Sequence, residues 1–338
     1  QTCDAFFDLL DPALELRYRA DPRSFWSEIA ALPKRATIII DEIQRVPELL
    51  NYVQMGIDQR DQVFYLSGSS ARKLRRGGAN LLGGRALDTR LHPLTHLEIG
   101  KPFELSKALQ FGTLPKITTL VLDDQTELAR GLLASYVTTY IKEEIQAEAV
   151  TRNLGAFQRF LAIAMQSNAQ VIEFANISRE CSVPASTVKE YYQILEDTLI
   201  GFFLWPFDHH ERKKSRPKSY FFDCGVVRAM QNRLLDPPTP CETSYLFEQW
   251  FINECIRLRD AFRKTHEFSF WRDRDHEIDL VVGGPDGVLI GFECKSGAGS
   301  LQPATAEKFH ARFPDARLVV VSMNASRKQQ NHGIETLP

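Results

Sequence analysis

The chain has 338 residues, 43% of them hydrophobic, which suffices for ordinary globular cores and, at about 150 residues per domain, for two or three domains. That hydrophobic share excludes disordered and collagen-like classes, and 41 Lys and Arg against 43 Asp and Glu leave a net charge of −2, so any nucleic-acid contact must come from a local basic patch. Cys3, Cys181, Cys224, Cys241, Cys255 and Cys294 form no C-x-x-C pair and have no His at zinc spacing, which predicts a reducing, cytoplasmic setting without a zinc site. The longest apolar stretch, Leu199 to Phe207, is far short of the roughly 20 residues of a membrane span, and no leader pattern follows Gln1.

In chain order, strand-like runs at Ala5–Leu9, Ala36–Ile40 and Val63–Leu66 interleave with helical patterns at Pro22–Leu32 and Pro47–Arg60. Such alternation predicts a parallel sheet, whose buried strands read as continuous apolar runs. From Thr119 to about Gln166 the apolar spacing turns helical, through Leu128, Leu132, Leu133, Tyr136, Val137 and Tyr140. The Pro-rich Asp236–Pro240 predicts an extended connection and a boundary. After it come a helix, Ser244–Arg259, then strands Glu267–Trp271, Glu277–Val282 and Val288–Lys295. A helix at Pro303–Phe313 and a strand at Arg317–Ser322 complete an α-β-β-β-α-β order.

Thr37 to Glu42 is an apolar strand ending in two carboxylates, the Walker B pattern. At the carboxyl edge of a parallel sheet, Asp41 can hold magnesium on nucleotide phosphates while Glu42 polarises a water. The next strand ends in Ser67-Gly68-Ser69-Ser70, with hydroxyls at the same edge, and Arg85 follows Leu81-Leu82-Gly83-Gly84 as a cation able to neutralise transition-state charge.

Together with these, the ordered segments Phe7-Asp8-Leu9-Leu10-Asp11-Pro12, Asp21-Pro22, Ile40-Asp41-Glu42-Ile43-Gln44, Leu66 to Ser70, Gly84-Arg85 and Leu91 to Glu98 resemble one family. It is the prokaryotic AAA+-type ATP-binding proteins with a C-terminal domain long catalogued as of unknown function. The resemblance runs from about Phe6 to Ser296. It implies ATP and Mg2+ as cofactors, with Asp41 binding magnesium, Glu42 activating water and Ser67 acting as sensor. The family's phosphate loop, G-x-x-x-x-G-K-[ST], would precede the Ala5–Leu9 strand, and no such segment occurs; Gly77-Gly78 and Gly83-Gly84 are not followed by Lys-Ser or Lys-Thr. Two readings stay open, a segment upstream of Gln1 or a member that has lost nucleotide binding, and the non-Met start favours the first.

In the middle, Ile177–Cys181 ends one helix, Ser182-Val183-Pro184 turns, and Ala185 opens a second with Val188, Tyr191, Tyr192, Leu195 and Leu199 on one face. This fits a helix-turn-helix, and the runs Phe202–Pro206 and Ser219–Asp223 would form a wing. The cations between them, Arg212, Lys213, Lys214, Arg216 and Lys218, could meet DNA phosphates or simply be solvated. The resembling family carries this segment too, ending here in Pro217-Lys218-Ser219-Tyr220-Phe221-Phe222-Asp223.

Glu277-Ile278-Asp279-Leu280 and Phe292-Glu293-Cys294-Lys295 flank the turn Gly283-Gly284-Pro285-Asp286-Gly287. Strand alternation puts Glu277 with Asp279, and Glu293 with Lys295, on shared faces. Pairing the strands would set Asp279 and Glu293 as magnesium ligands with Lys295 beside a water. A solvated charged hairpin satisfies the same alternation. The pattern resembles the restriction-endonuclease-like PD-(D/E)xK fold, in which Glu248 matches a further metal ligand.

The fold class expected is α/β. It comprises a P-loop NTPase-like parallel-sheet core lacking its phosphate loop at 1–118, a helical and winged-helix region at 119–235, and a restriction-endonuclease-like domain at 236–338. The leading function is an AAA+-type ATPase regulating a nuclease-like domain that binds DNA or protein. The alternatives are a metal-dependent DNA endonuclease with an ATPase switch and a non-enzymatic binding scaffold. Whether Arg85 acts within a subunit or across an interface stays open.

Overall fold

A computed structural model describes residues 3–68, 84–141, 154–207, 216–297, 299–331 and 334–338. The chain divides into two compact units, Gln1–Thr89 with Asp197–Leu199, and Arg90–Glu196 with Ile200–Pro338.

The first unit runs β1 (Ala5–Asp8), α1 (Pro12–Ala20), α2 (Pro22–Ala31), β2 (Thr37–Asp41), a 3-10 turn (Ile43–Arg45), α3 (Leu49–Arg60) and β3 (Val63–Leu66). Two Asp-Pro pairs start the first two helices. Asp11 and Asp21 accept from Ala13 N at 2.9 Å and Arg23 N at 3.1 Å, and the prolines take the first helical turn, where a missing N–H is harmless. The strands are parallel in the order β1-β2-β3, with Phe6 opposite Ile39 and Ile39 opposite Tyr65. Phe7, Ile38 and Ile40 turn the other way and pack with Tyr18, Phe25, Ile29 and Val53. The expectation of strands buried on both faces therefore needs correction, because Phe6 is 57% and Tyr65 53% exposed.

The second unit starts with α4 (His96–Ile99), α5 (Leu105–Phe111), α6 (Pro115–Leu122), α7 (Thr126–Ser135), a π-helical turn (Tyr136–Ile141) and α8 (Leu154–Gln166). Then come β4 (Gln170–Val171), α9 (Phe174–Cys181), α10 (Ala185–Asp197), β5 (Gly201–Leu204), β6 (Lys218–Phe221) and α11 (Cys224–Met230). Ser182 turns between α9 and α10 in the left-handed region (φ 56°), and Ser178 Oγ ties the turn by donating to Val183 O at 2.6 Å. Val188, Tyr191, Tyr192 and Leu195 pack on Phe157 and Phe160 as the spacing requires, but Leu199 lies outside α10 and is exposed. The antiparallel β5-β6 pair and β4 form a three-stranded sheet, β4-β6-β5.

The remainder is α12 (Pro240–Ala261), β7 (Glu267–Asp273), β8 (His276–Gly283), β9 (Leu289–Lys295), α13 (Pro303–Arg312), β10 (Arg317–Ser322), β11 (Gln329–Asn331) and β12 (Ile334–Leu337). The sheet order is β11-β12-β10-β9-β8-β7; β7, β8 and β9 are antiparallel, and β9-α13-β10 is a parallel crossover. The last two strands were not foreseen. The stretch Asp236–Thr239 is non-helical and ends extended, as expected, but α12 starts at Pro240 rather than Ser244: Thr239 and Glu242 form a reciprocal capping box, with Pro240 in the first turn.

That helix is buried on several sides and carries Gln249, Asn253, Glu254 and Arg257 into the core, each matched to a partner. Gln249 and Asn253 both donate to Phe221 O, at 2.8 and 2.9 Å. Arg257 donates to Thr113 Oγ1 and Phe222 O at 2.8 Å and to Leu94 O at 3.3 Å. His96 meets Glu254 at 2.5 Å, and His92 meets Asp260 at 2.9 Å. The Leu91–Glu98 motif, assigned from sequence to the ATPase core, thus packs along α12 within the second unit.

Candidate functional site

Two clusters gather the residues singled out by sequence. In the first unit, parallel pairing of β2 with β3 brings their carboxyl ends together. Ser67 Oγ donates to Asp41 Oδ1 and accepts from Glu42 N at 3.2 Å. Glu42 sits in the left-handed region (φ 57°), which sends the chain sharply off the strand, and Gln44 Nε2 donates to its carboxylate. Asp41, Glu42 and Ser67 are one hydrogen-bonded group, as the alternation predicts. Arg85 is placed elsewhere: its Nε pairs with Asp58 of α3 at 2.9 Å. Ser69, Ser70, Gly77, Gly78, Leu81, Leu82 and Gly83 lie outside the described residues. Gln44 was missed, although an amide two residues beyond an acidic pair is a legible sign of a carboxylate anchor.

In the second unit, Ile278 and Leu280 of β8 face the core while Glu277 and Asp279 share the opposite face. Asp279 and Glu293 follow just beyond the last paired residues, Leu280 and Phe292, and Asp279 Oδ2 accepts from Cys294 N at 2.9 Å. Lys295 Nζ donates to Glu293 Oε1 at 2.6 Å. Glu248, from α12, joins the cluster from outside the hairpin.

The residue that joins these carboxylates is Lys218. Period-two alternation puts Lys218 and Tyr220 of β6 on one face, and both reach Glu248 Oε1, at 2.8 and 2.6 Å. The same ammonium lies 2.5 Å from Glu277 Oε1 and 3.5 Å from Asp279 Oδ1. Lys218 is only 3% exposed, which corrects its assignment to a basic, DNA-facing wing. Arg216 also has a partner, Glu173, and Arg212, Lys213 and Lys214 lie outside the described residues. Lys218, Tyr220 and Glu277 were missed as site residues, and no local pattern in Lys218-Ser219-Tyr220-Phe221 marks the first two.

Burial and the neighbouring Asp279 charge raise the Glu248 carboxyl, and Lys218 opposes the shift. Glu293 is raised for the same two reasons, against Lys295. Burial alone would lower the Lys218 ammonium, but Glu248, Asp279 and Glu277 together hold it above its ordinary value. Glu293 is 9% exposed and its Oε2 has no hydrogen-bond partner among the described residues.

Among the described residues, no group of three or more His, Cys, Asp or Glu side chains is arranged to hold a metal ion. The donor chemistry divides in two. Asp279 and Glu293 offer hard oxygens, one of them a buried Glu293 oxygen without a hydrogen-bond partner among the described residues, which fits a magnesium ion, whereas the ammonium engages Glu248 and Glu277 closely and Asp279 at 3.5 Å.

Comparison with known proteins matches three successive segments of the chain. Residues 4–100 match the AAA domain, residues 103–236 a domain of unknown function (DUF8612) and residues 244–338 another (DUF4143). The first and last matches support an AAA-type, ATPase-like protein that binds nucleotide. An uncharacterized protein of Mycobacterium tuberculosis, and one of Mycobacterium bovis, are each 24% identical over 323 residues, covering 93% of this chain and 70% of the relative. An uncharacterized protein of Methanocaldococcus jannaschii is 23% identical over 276 residues, covering 75% of this chain and 60% of its own. No helix among the described residues is long and apolar enough to cross a membrane.

Proposed function

We propose that the chain is a cytoplasmic AAA+-type ATPase in which Asp41, Glu42 and Ser67 act on magnesium-bound ATP. The observation that carries this reading is the joining of Asp41 to Ser67 at the ends of adjacent parallel strands, inside the segment that matches the AAA domain. Asp41 would hold the nucleotide's magnesium ion. Glu42, turned off the strand by its left-handed backbone and anchored by Gln44, would orient and polarise the attacking water. Ser67, bonded to both neighbours, would fix the Asp41 carboxylate.

The remainder of the chain we read as the output half: α9, α10 and the β5-β6 hairpin as a winged helix, and α12 to β10 as a PD-(D/E)xK-like domain with DNA or protein as its target. The functional division is 1–118, 119–235 and 236–338. In the last part Asp279 and Glu293 would ligate magnesium, and Lys295, held by Glu293, would orient a water. A divalent ion bound there would supply Lewis acidity toward a phosphodiester. The α-β-β-β-α-β order and the opposed Asp279 and Glu293 support this assignment.

The test is ATP binding and turnover with a phosphate loop supplied upstream of Gln1, against residues 1–338 alone. The longer polypeptide should bind magnesium-ATP and hydrolyse it, and the shorter one should bind weakly. Glu42→Gln should keep nucleotide binding and slow hydrolysis by about tenfold or more. Unchanged turnover removes Glu42 from the mechanism.

A further inference from the structure

Lys218 belongs to none of the strands or helices of the nuclease-like segment, yet its ammonium stands at the focus of that segment's carboxylates. Oxygens of Glu248, Glu277 and Asp279 lie 2.8, 2.5 and 3.5 Å from Nζ. Convergence of negatively charged oxygens from separate elements on one point calls for a cation, although these three carboxylates are not themselves arranged to hold a metal ion. Here the cation is the protein's own. The ammonium has three N–H donors, and the neighbouring carboxylates supply acceptors for all of them. The stem cannot swing to solvent cheaply, because residue 218 is paired across the sheet with Leu204 and Val171 and its Nζ lies 5.6 Å from the centre of the Phe270 ring. Glu293 Oε2, nine-tenths buried and unpartnered among the described residues, marks the end of the cluster that the ammonium does not satisfy.

We propose that Lys218 is a tethered cation standing among Glu248, Glu277 and Asp279, beside the metal position of Asp279 and Glu293, so that the nuclease-like site accepts its metal fully only when Lys218 is displaced. The proposal rests on the metal-site reading given above. The physical reason is repulsion: an ion held by Asp279 and Glu293 would stand close to an ammonium that is only 3% exposed and so is weakly screened by water. Occupancy by one therefore weakens the other reciprocally. Such a device would couple metal acceptance in the 244–338 segment to the position of β6, which belongs to the preceding segment.

Manganese titration of residues 1–338, followed by electron paramagnetic resonance and by the thermal midpoint, tests this without relying on cleavage. Lys218→Met with Glu277→Gln removes the cation and its nearest partner together, keeps net charge constant and leaves Glu248, Asp279 and Glu293 intact. It should bind manganese about tenfold or more tightly than the parent, and Asp279→Asn should abolish the gain. If that variant does not fold, Lys218→Met with Glu248→Gln is charge-balanced in the same way and should show the same gain. Equal, Asp279-dependent affinity in parent and variant would overturn the role of Lys218 and keep the metal site. No binding by either would overturn the metal-site reading, and this proposal with it.

Discussion

Arg257 is the most heavily committed side chain of α12, and its replacement gives a stability change that can be worked from the contacts. It is 4% exposed and its guanidinium donates to Thr113 Oγ1, Phe222 O and Leu94 O, with Glu254 at 3.8 Å. Arg257→Met keeps most of the aliphatic volume and deletes every one of these bonds. Hydrogen bonds to charged groups contribute about 1.5–3 kcal/mol each, non-additively, and removing one partner of a buried charged set costs about 3–5 kcal/mol in total. That is a large part of an ordinary stability of roughly 5–15 kcal/mol, and at about 2–4 °C per kcal/mol it predicts a fall of roughly 6–20 °C in the unfolding midpoint. Trp205, Trp250 and Trp271 lie in the second unit, so fluorescence-detected urea and thermal unfolding report mainly on it. Arg257→Lys should lose less, since an ammonium can still serve one or two acceptors. A loss below about 1 kcal/mol in Arg257→Met would refute the view that this guanidinium ties Leu94, Thr113 and Phe222 to the helix.

Gly225→Ala should destabilise the second unit by about 1–3 kcal/mol or more in thermal unfolding, since the added carbon would lie 2.0 Å from Phe111 O and 2.8 Å from Gly112 N, both backbone atoms; an unchanged midpoint would contradict that close approach. Glu98 is held below its ordinary value of 4.5 by hydrogen bonds from Thr95, so its contribution is fully present above that pH and is lost as pH falls through the lowered folded value. Glu98→Gln should therefore be less stable than the parent near neutrality, with the gap closing in acid denaturation below pH 4.5; a gap independent of pH would remove the charge from the capping box.

Local pattern made much of the architecture readable. The strand at Val63–Leu66 and the strand at Arg317–Ser322 match the observed bounds, because β-branched and aromatic runs between polar turns leave little choice. Asp41, Glu42 and Ser67 were readable as a group because parallel pairing fixes which strand ends meet. Lys218 was not, because nothing local distinguishes a strand lysine that will be drawn into a carboxylate cluster from one that will lie in water. Its burial is decided by Glu248, 30 residues on, and by Glu277 and Asp279, about twice as far. The start of α12 was placed four residues late for a different reason: proline at a helix's first turn and proline in a linker look alike until the capping partner, Glu242, is seen to fold back on Thr239.

The capping of α12 at Thr239 bears on how the molecule can be cut. A protein engineer working from composition alone would sever the chain in the Asp236–Pro240 stretch and expect two portable pieces. The downstream piece would carry Gln249, Asn253 and Arg257 away from the carbonyls of Phe221 and Phe222, leaving amide and guanidinium donors stranded on a raw face. The upstream piece would lose the Asp236 carbonyl and Glu242 that hold Arg228, a side chain with no solvent exposure at all. A clean excision that respects these bonds begins near Arg90, so swapping the C-terminal segment between relatives demands that the Leu91–Glu98 strap and the Lys218–Asp223 stretch travel with it.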